Sequence, residues 1–402
     1  MAALNDIRIV DITRAMAGPY CTMMLGDFGA DIIKIERPGS GDESRGWGPP
    51  FVGEAKDSYP GQSAYFLSAN RNKRSLTVNL KSSQGQEIIR ELVQVSDVLI
   101  ENFRTGVLDA MGLGFDALSA HNPRLVFCSI SGYGRTGPDK EKPGYDAIIQ
   151  AEGGMMGITG PVEGPPSRVG VPIIDITAGM FAASAILAAL HERGDSGRGQ
   201  HVDVSLLDTQ TALLANVASN YLISGETPKR QGNAHPNIAP YEPFQARDKG
   251  FVLGAANQRQ WIILCDLLGA SELKEDPRFV NNQMRVEHRQ ELIRALNSIF
   301  AGKDAAEWLT LLEEAGLPCG PINTVPEVFQ HPQVRAREMI QQVDHTSAGL
   351  VSLTGFPYKL SRTPPELRLA PPCLGEHNRE ILVDLLGFSD SDVDSLQEAG
   401  VI

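Results

Sequence analysis

Residues 7–37 read IRIVDITRAMAGPYCTMMLGDFGADIIKIER. The opening IRIVDIT is apolar and β-branched, the composition of a strand. The following AGPYCTMMLGDFGA carries helix formers and ends on glycine, as a helix closed at its carboxyl end does. DIIKIER is a second apolar, β-branched run. Strand, helix and strand in this order form a βαβ unit, whose two strands lie parallel.

The pattern repeats outward from this unit. RSLTVNL (74–80), DVLIENF (97–103), RLVFCSISGYG (124–134) and HVDVSLL (201–207) read as further strands. SSQGQEIIRELVQVS (82–96) has apolar residues at helical spacing behind serines able to cap it. The expected fold class is α/β, with a mostly parallel, doubly wound sheet. Ligands of such sheets bind beyond the carboxyl ends of the strands, here at loops 14–20 and 102–106. Residues 132–172 form a long Gly/Pro-rich stretch, the kind of loop that carries function or is disordered. An Ala-rich apolar run, AGMFAASAILAAL (178–190), reads as a buried helix. A linker is expected around 224–243, followed by a smaller α+β segment containing GFVLGAA, RQWIILCDLLG, RQELIRALNSIFA and AAEWLTLLEEAG.

The 402 residues are 42% hydrophobic and 21% charged, ordinary for a globular protein with a sizeable core. The net charge of −13 carries no basic footprint, so neither nucleic acid nor an anionic membrane is an expected partner. Five scattered cysteines make neither a disulfide framework nor a zinc site, and no metal site is expected. With no leader pattern at the start and no apolar run of membrane-spanning length, a cytoplasmic location is expected. The first turn lacks G-x-G-x-x-G, which counts against a nicotinamide enzyme, and no P-loop, G-x-S-x-G or H-E-x-x-H occurs.

Two features carry chemistry. Cations gather at Lys34, Arg37, Arg71, Lys73, Arg74 and Lys81, either as a solvated face or as a phosphate clamp at the strand ends. The phrase Asp-Ile-Thr occurs twice, at Asp11 and Asp175. Asp11 closes a strand and reads as structural, bonded to its own turn or paired with Arg14. Asp175 follows the long loop and precedes the Ala-rich helix. A helix starting near Thr177 would make it an N-cap, with free N–H groups and the helix dipole keeping it ionised. Such a carboxylate is either an ordinary cap or a nucleophile toward an activated acyl group.

The chain resembles the family III CoA-transferases, the CaiB/BaiF or formyl-CoA transferase family. The resemblance rests on DITRAMAGPYCTMMLGDFGADIIKIERPGSGDESRGWGP, NRNKRSLTVNLK, DVLIENFRTGVLDAMGLG, SGYGRTGP, GRGQHVDVSLLD, GLPCGPINTVPEV and PPCLGEHNREIL, in order along nearly the whole chain. It implies a Rossmann-like large domain from both chain ends (1–223 and 325–402), a linker and small α+β domain between them (224–324), and an interlocked homodimer. It implies CoA transfer from an acyl-CoA to a carboxylic acid, with CoA as substrate and no permanently bound cofactor. The family nucleophile maps onto Asp175, which would form an aspartyl anhydride and then an aspartyl-CoA thioester. The CoA-binding positions map onto Ala15, Ala17, Arg37, Val78, Lys81, Asn102, Phe103 and Met111, and Tyr145 and Asp146 match positions near the family active site.

Departures narrow the substrate. Formyl-CoA:oxalate members have glutamine where this chain has Met16, and a glycine run where it has GNAHPNIAPY, which disfavours oxalate. Related α-methylacyl-CoA racemases have a catalytic histidine where this chain has Tyr145, and racemisation needs a base on each face of the α-carbon. GNAHPNIAPYEPF and QVDHTSAGLVSLTGFPYKLS look like members acting on dicarboxylates, of the succinyl-CoA:glutarate type, and His235 or Asn237 could meet a distal carboxylate. The alternatives are a racemase-like isomerase on the same fold and a non-catalytic CoA-binding protein.

Overall fold

A computed structural model describes residues 2–54 and 60–402. The chain forms two compact units. The first comprises residues 1–154, 169–214 and 332–402, and the second 155–168 and 215–331. The expected linker start at 224 thus falls at the end of a helix, Ala215–Ser224, that belongs to the second unit, as does the loop segment 155–168.

The first unit is built on six strands, β1 (Arg8–Asp11), β2 (Asp31–Glu36), β3 (Lys73–Thr77), β4 (Val98–Glu101), β5 (Val126–Ser131) and β6 (His201–Ser205). Their order in the sheet is β3-β2-β1-β4-β5-β6, and every neighbouring pair is parallel. The chain winds outward from β1 in both directions, so the order reverses between β1 and β4. A crevice opens at such a reversal, beyond the carboxyl ends of the strands.

Alternate residues of each strand face opposite sides. Val10, Ile33, Leu76, Leu99 and Phe127 meet Ile88, Ile89, Leu92 and Val93 of helix α2 (Ser83–Gln94), together with Ile381, Leu382, Val393 and Leu396 from the end of the chain. Ile9, Ile32, Val98, Ile100 and Cys128 meet α1 (Ala17–Asp27) and α4 (Ile173–Ser196) on the other side. Between them, α3 (Asp146–Glu152) precedes the entry to α4.

α4 has 24 residues and is apolar and long enough to cross a membrane, longer than the run read from sequence. Its Ala178, Ala182, Ala183, Ile186 and Ala189 are buried in the core of the first unit. Small residues let it approach α1 closely: a Cβ on Gly179 would stand 2.5 Å from the carbonyl oxygen of Ala17. The second unit has its own core, in which Phe244, Phe251, Phe300 and Trp308 pack ring against ring behind a three-stranded antiparallel sheet.

The carboxyl edge of β1, β2 and β3 is charged and buried. Lys73 Nζ meets Asp11 Oδ2 at 3.2 Å, and Lys34 Nζ meets Asp42 Oδ2 at 2.9 Å; all four side chains are at most 1% exposed. Asp11 also accepts from Thr13 N–H (2.9 Å) and Thr22 Oγ1–H (2.6 Å). Two sequence expectations are corrected here. Asp11 pairs with Lys73, while Arg14 pairs with Glu43. The cation run is neither a solvated face nor a phosphate clamp as a whole: Arg71 is fixed to Asp27, Arg74 to Asp31 and Glu380, and Lys34 and Lys73 lie inside. Only Arg37 and Lys81 remain exposed and without an ion pair among the described residues.

Burial raises the Asp11 carboxyl, but Lys73, Lys34 and the two threonines outweigh it and hold the pKa down at about 2. A depressed carboxyl contributes stability that is present above its unfolded value and lost as pH falls through about 2. Asp11→Ala removes the carboxylate that pairs with Lys73 among the described residues, and is expected to destabilise the first unit by about 3–5 kcal/mol in chemical unfolding at pH 7. A loss under about 1 kcal/mol would show that the pair is dispensable.

Candidate active site

Two adjoining clefts open along the crevice between β1 and β4. The first, about 470 Å³, has an apolar floor from Ile12, Val78, Phe103 and Met111, with Arg37 and Lys81 at its rim. The second, about 350 Å³, is lined by Ala15, Met16, Ala17, Asn102, Tyr145 and Asp175, among others. Arg14, Glu43 and Phe103 line both clefts. The eight positions expected to bind CoA therefore all line one cleft or the other.

The turn after β1 is tightly held. Asn102 accepts Arg14 N–H at 2.9 Å and donates its amide to Arg14 O at 2.8 Å, tying the β1 turn to the β4 loop. Ala15 has φ +64°, the left-handed region that costs a non-glycine residue energy. Its N–H points to the Asp42 carboxylate at 3.1 Å, and Lys34 Nζ, bonded to that carboxylate, also holds Thr13 O at 3.0 Å. The buried ion pairs thus fix the backbone that lines the second cleft.

Asp175 lies in the first turn of α4, which starts at Ile173 rather than near Thr177. It is therefore not the N-cap. The N-cap position is Pro172, and Asp146, on the first turn of α3, meets the helix entry from outside: its Oδ1 accepts Ile174 N–H at 2.8 Å and its Oδ2 accepts the Gln150 amide at 2.6 Å. The Asp175 carboxylate is left with no hydrogen-bond partner among the described residues. Burial, and then the charge of Asp146, push its pKa up to about 7. The expectation that helix donors keep it ionised is corrected: no N–H of α4 reaches Asp175 among the described residues, and the Ile174 N–H goes to Asp146. Asp175 is thus half-buried, without a hydrogen bond among the described residues, and lines the second cleft.

The other sequence candidates fall in two places. Met16 is buried at the entry to α1, and Tyr145 is 70% exposed at the entry to α3; both line the second cleft. His235 and Asn237 belong to the second unit. There His235 stacks on Tyr241 and accepts Asn237 N–H, while Asn237 Oδ1 accepts the amides of Asn216 and Asn220.

Sequence reading missed Tyr65. Its phenol is pushed up to about 12 by burial and by the charges of Asp175 and Asp146, so it stays a donor in their field. It also missed Arg104, Lys140 and Lys142 in the second cleft. SAYFLSAN reads as an ordinary helix, and the lysines stand in a charged loop, so no local signal marks them. Among the described residues, no group of His, Cys, Asp and Glu is placed to hold a metal.

Comparison with known proteins settles the class. Residues 4–378 match CoA-transferase family III. The chain belongs to this family. The transferase is 42% identical over 402 residues to succinyl-CoA:glutarate CoA-transferase of Mus musculus, covering 100% of this chain and 91% of that protein. It is 41% identical over 382 residues to the succinate–glutarate CoA-transferase of Agrobacterium fabrum, covering 95% of each chain. A crystal structure of a CaiB/BaiF family protein from Brucella suis superposes with a TM-score of 0.83 at 41% identity, covering 96% of this chain and 99% of that one. The transferase accordingly uses CoA thioesters as substrates.

A carboxyl raised to about 7 is protonated and unreactive below that pH. For the transferase, kcat/KM toward an acyl-CoA is expected to rise with pH up to about 7 and level above it. Asp146→Asn removes the neighbouring charge and should move this limb to lower pH. The sign for stability follows: a raised acid costs stability increasingly from its unfolded value up to about 7. Asp175→Asn should therefore raise Tm more at pH 8 than at pH 5. An equal gain at both pH values would show that Asp175 is not held in a desolvated site.

Proposed function

We propose that this transferase moves CoA from a dicarboxylic acyl-CoA, such as succinyl-CoA, to a carboxylic acid such as glutarate, with Asp175 as nucleophile. The observation that carries the reading is an unbonded, desolvated carboxylate in a cleft that adjoins a second cleft with an apolar floor and two unpaired cations. The names of the relatives support the substrate class.

The CoA nucleotide lies in the first cleft, its phosphates met by Arg37 and Lys81, with Val78, Phe103 and Met111 against its apolar parts. The pantetheine arm passes Arg14 and Phe103 and brings the thioester to Asp175. The Asp175 carboxylate adds to the thioester carbonyl, and the carbon–sulfur bond breaks. An aspartyl acyl anhydride and CoA thiolate result. The thiolate adds to the aspartyl carbonyl and expels the first acid as its carboxylate, leaving an aspartyl-CoA thioester. The acceptor carboxylate then attacks this thioester and expels CoA thiolate, forming a second anhydride. The thiolate attacks the acceptor's acyl carbon and returns Asp175 as a carboxylate. Each step exchanges one acyl bond for another and no proton is consumed, so one hard exchange becomes several easier ones.

Tyr145 and Met16 border the reacting acyl group, and Asp146 sets the entry of α4 and the basicity of Asp175. The active form is a homodimer, as the family resemblance implies; Met180 and Phe181 of α4, 44% and 43% exposed, and Leu222 and Ile223 of the second unit, 79% and 87% exposed, are apolar side chains that a partner could cover.

The decisive experiment traps the covalent enzyme. Incubation with succinyl-CoA followed by hydroxylamine or borohydride is expected to modify Asp175, located by mass spectrometry. Asp175→Ala should abolish both the adduct and CoA transfer. Transfer retained by Asp175→Ala would falsify this mechanism.

A further inference from the structure

The cleft that holds Asp175 carries charge of both signs. Asp175, which makes no ion pair among the described residues, lines the same cleft of about 350 Å³ as Arg14, Arg104, Lys140 and Lys142.

Of these four, Arg14 is neutralised by Glu43. Arg104 and Lys140 have no ion pair among the described residues, and Lys142 has only Asp139, at 3.0 Å, near the surface. The two lysines stand on a firmly seated loop. Gly144 rests backbone to backbone on Gly132 at the end of β5, where a Cβ on Gly144 would come within 2.5 Å of Gly132 Cα. Gly132 O in turn accepts Leu207 N–H at 3.0 Å. The cations assigned to the CoA phosphates lie in the other cleft, so these lysines are not required there.

We propose that Lys140 and Lys142 bind the distal carboxylate of a dicarboxylic acyl group whose reacting carbonyl is at Asp175, and so make the enzyme selective for dicarboxylates. This rests on the CoA-transferase reading and adds to it the residues that choose the substrate. A dicarboxylic acyl group carries its reacting carbonyl at one end and a carboxylate at the other, and one cleft is lined by both Asp175 and the lysines. An acyl group ending in methyl would leave Lys140 unpaired and Lys142 with Asp139 alone.

The test compares succinyl-CoA with butyryl-CoA, in which a methyl group replaces the distal carboxylate, as donors to acetate. The unaltered enzyme is expected to prefer succinyl-CoA in kcat/KM. Lys140→Met/Lys142→Met should reduce the succinyl-to-butyryl ratio by about tenfold, the sum of two partly exposed charge contacts. Lys140→Arg/Lys142→Arg should restore most of it, which a merely misfolded loop would not allow. An unchanged ratio, or an equal rise in KM for both donors, would show that the lysines do not read the acyl group and would overturn the proposal. Absence of any CoA transfer by the unaltered enzyme would instead overturn the reading on which it rests.

Discussion

Everything near the crevice hangs on the buried ion pairs Lys73–Asp11 and Lys34–Asp42 at the carboxyl edge of β1, β2 and β3. Burying four charges is costly, and the cost is offset only where each charge is paired and its remaining donors and acceptors are met. Here they are. Lys73 also reaches Pro19 O and Asn70 Oδ1, and Asp42 also accepts the N–H and hydroxyl of Ser44. What this network holds is backbone: Thr13 O, Ala15 N–H and the start of α1 at Pro19 O. The left-handed turn at Ala15 persists because it is over-determined from beneath. The same turn lines the cleft in which Asp175 stands, so charge buried under the sheet edge becomes geometry at the site.

The two Asp-Ile-Thr phrases show how little of a carboxylate's chemistry is local. Asp11 has a lysine and two threonines and is held at about 2; Asp175 has no partner and is pushed up to about 7. The difference lies in the surroundings: Lys73, Lys34 and two threonines hold Asp11 down, while burial and then the charge of Asp146 push Asp175 up. By accepting Ile174 N–H, Asp146 also takes a donor that a carboxylate at the helix entry would otherwise use. A carboxylate that is partly desolvated and without hydrogen bonds is a stronger base and nucleophile than one fully hydrated.

Much of the fold was legible because it is written in short-range pattern. β-branched runs alternating with helical spacing give the parallel sheet, and Ser82 caps α2 as its position implies. The setting of Asp175 was half legible: the long loop before it and the small-residue helix behind it set it apart, but a carboxylate before a helix is usually its cap. The carboxylate that accepts from the helix entry, Asp146, is 28 residues upstream of its donor Ile174. The cations were misread for the same reason. Their partners lie far off in sequence, Asp11 from Lys73 by 62 residues and Glu380 from Arg74 by 306, and a run such as NRNKR looks alike whether solvated or buried. Family resemblance, which samples tertiary context, picked Arg37 and Lys81 out of that run; composition did not.

That Asp175 makes no ion pair among the described residues matters to the proposed chemistry. In the exchange, the Asp175 carboxylate must first attack and later leave. A cation beside it would steady the ion, lowering its nucleophilicity at the first step while easing its departure at the last. Cations that line the cleft without pairing with Asp175 let the enzyme bind an anionic substrate while the attacking carboxylate keeps its basicity. A substrate whose own carboxylate is taken up by Lys140 and Lys142 also brings less negative charge to bear on Asp175, whose ionisation is already opposed by Asp146. Selectivity for a dicarboxylate and reactivity of the nucleophile are, on this view, two consequences of one charge arrangement.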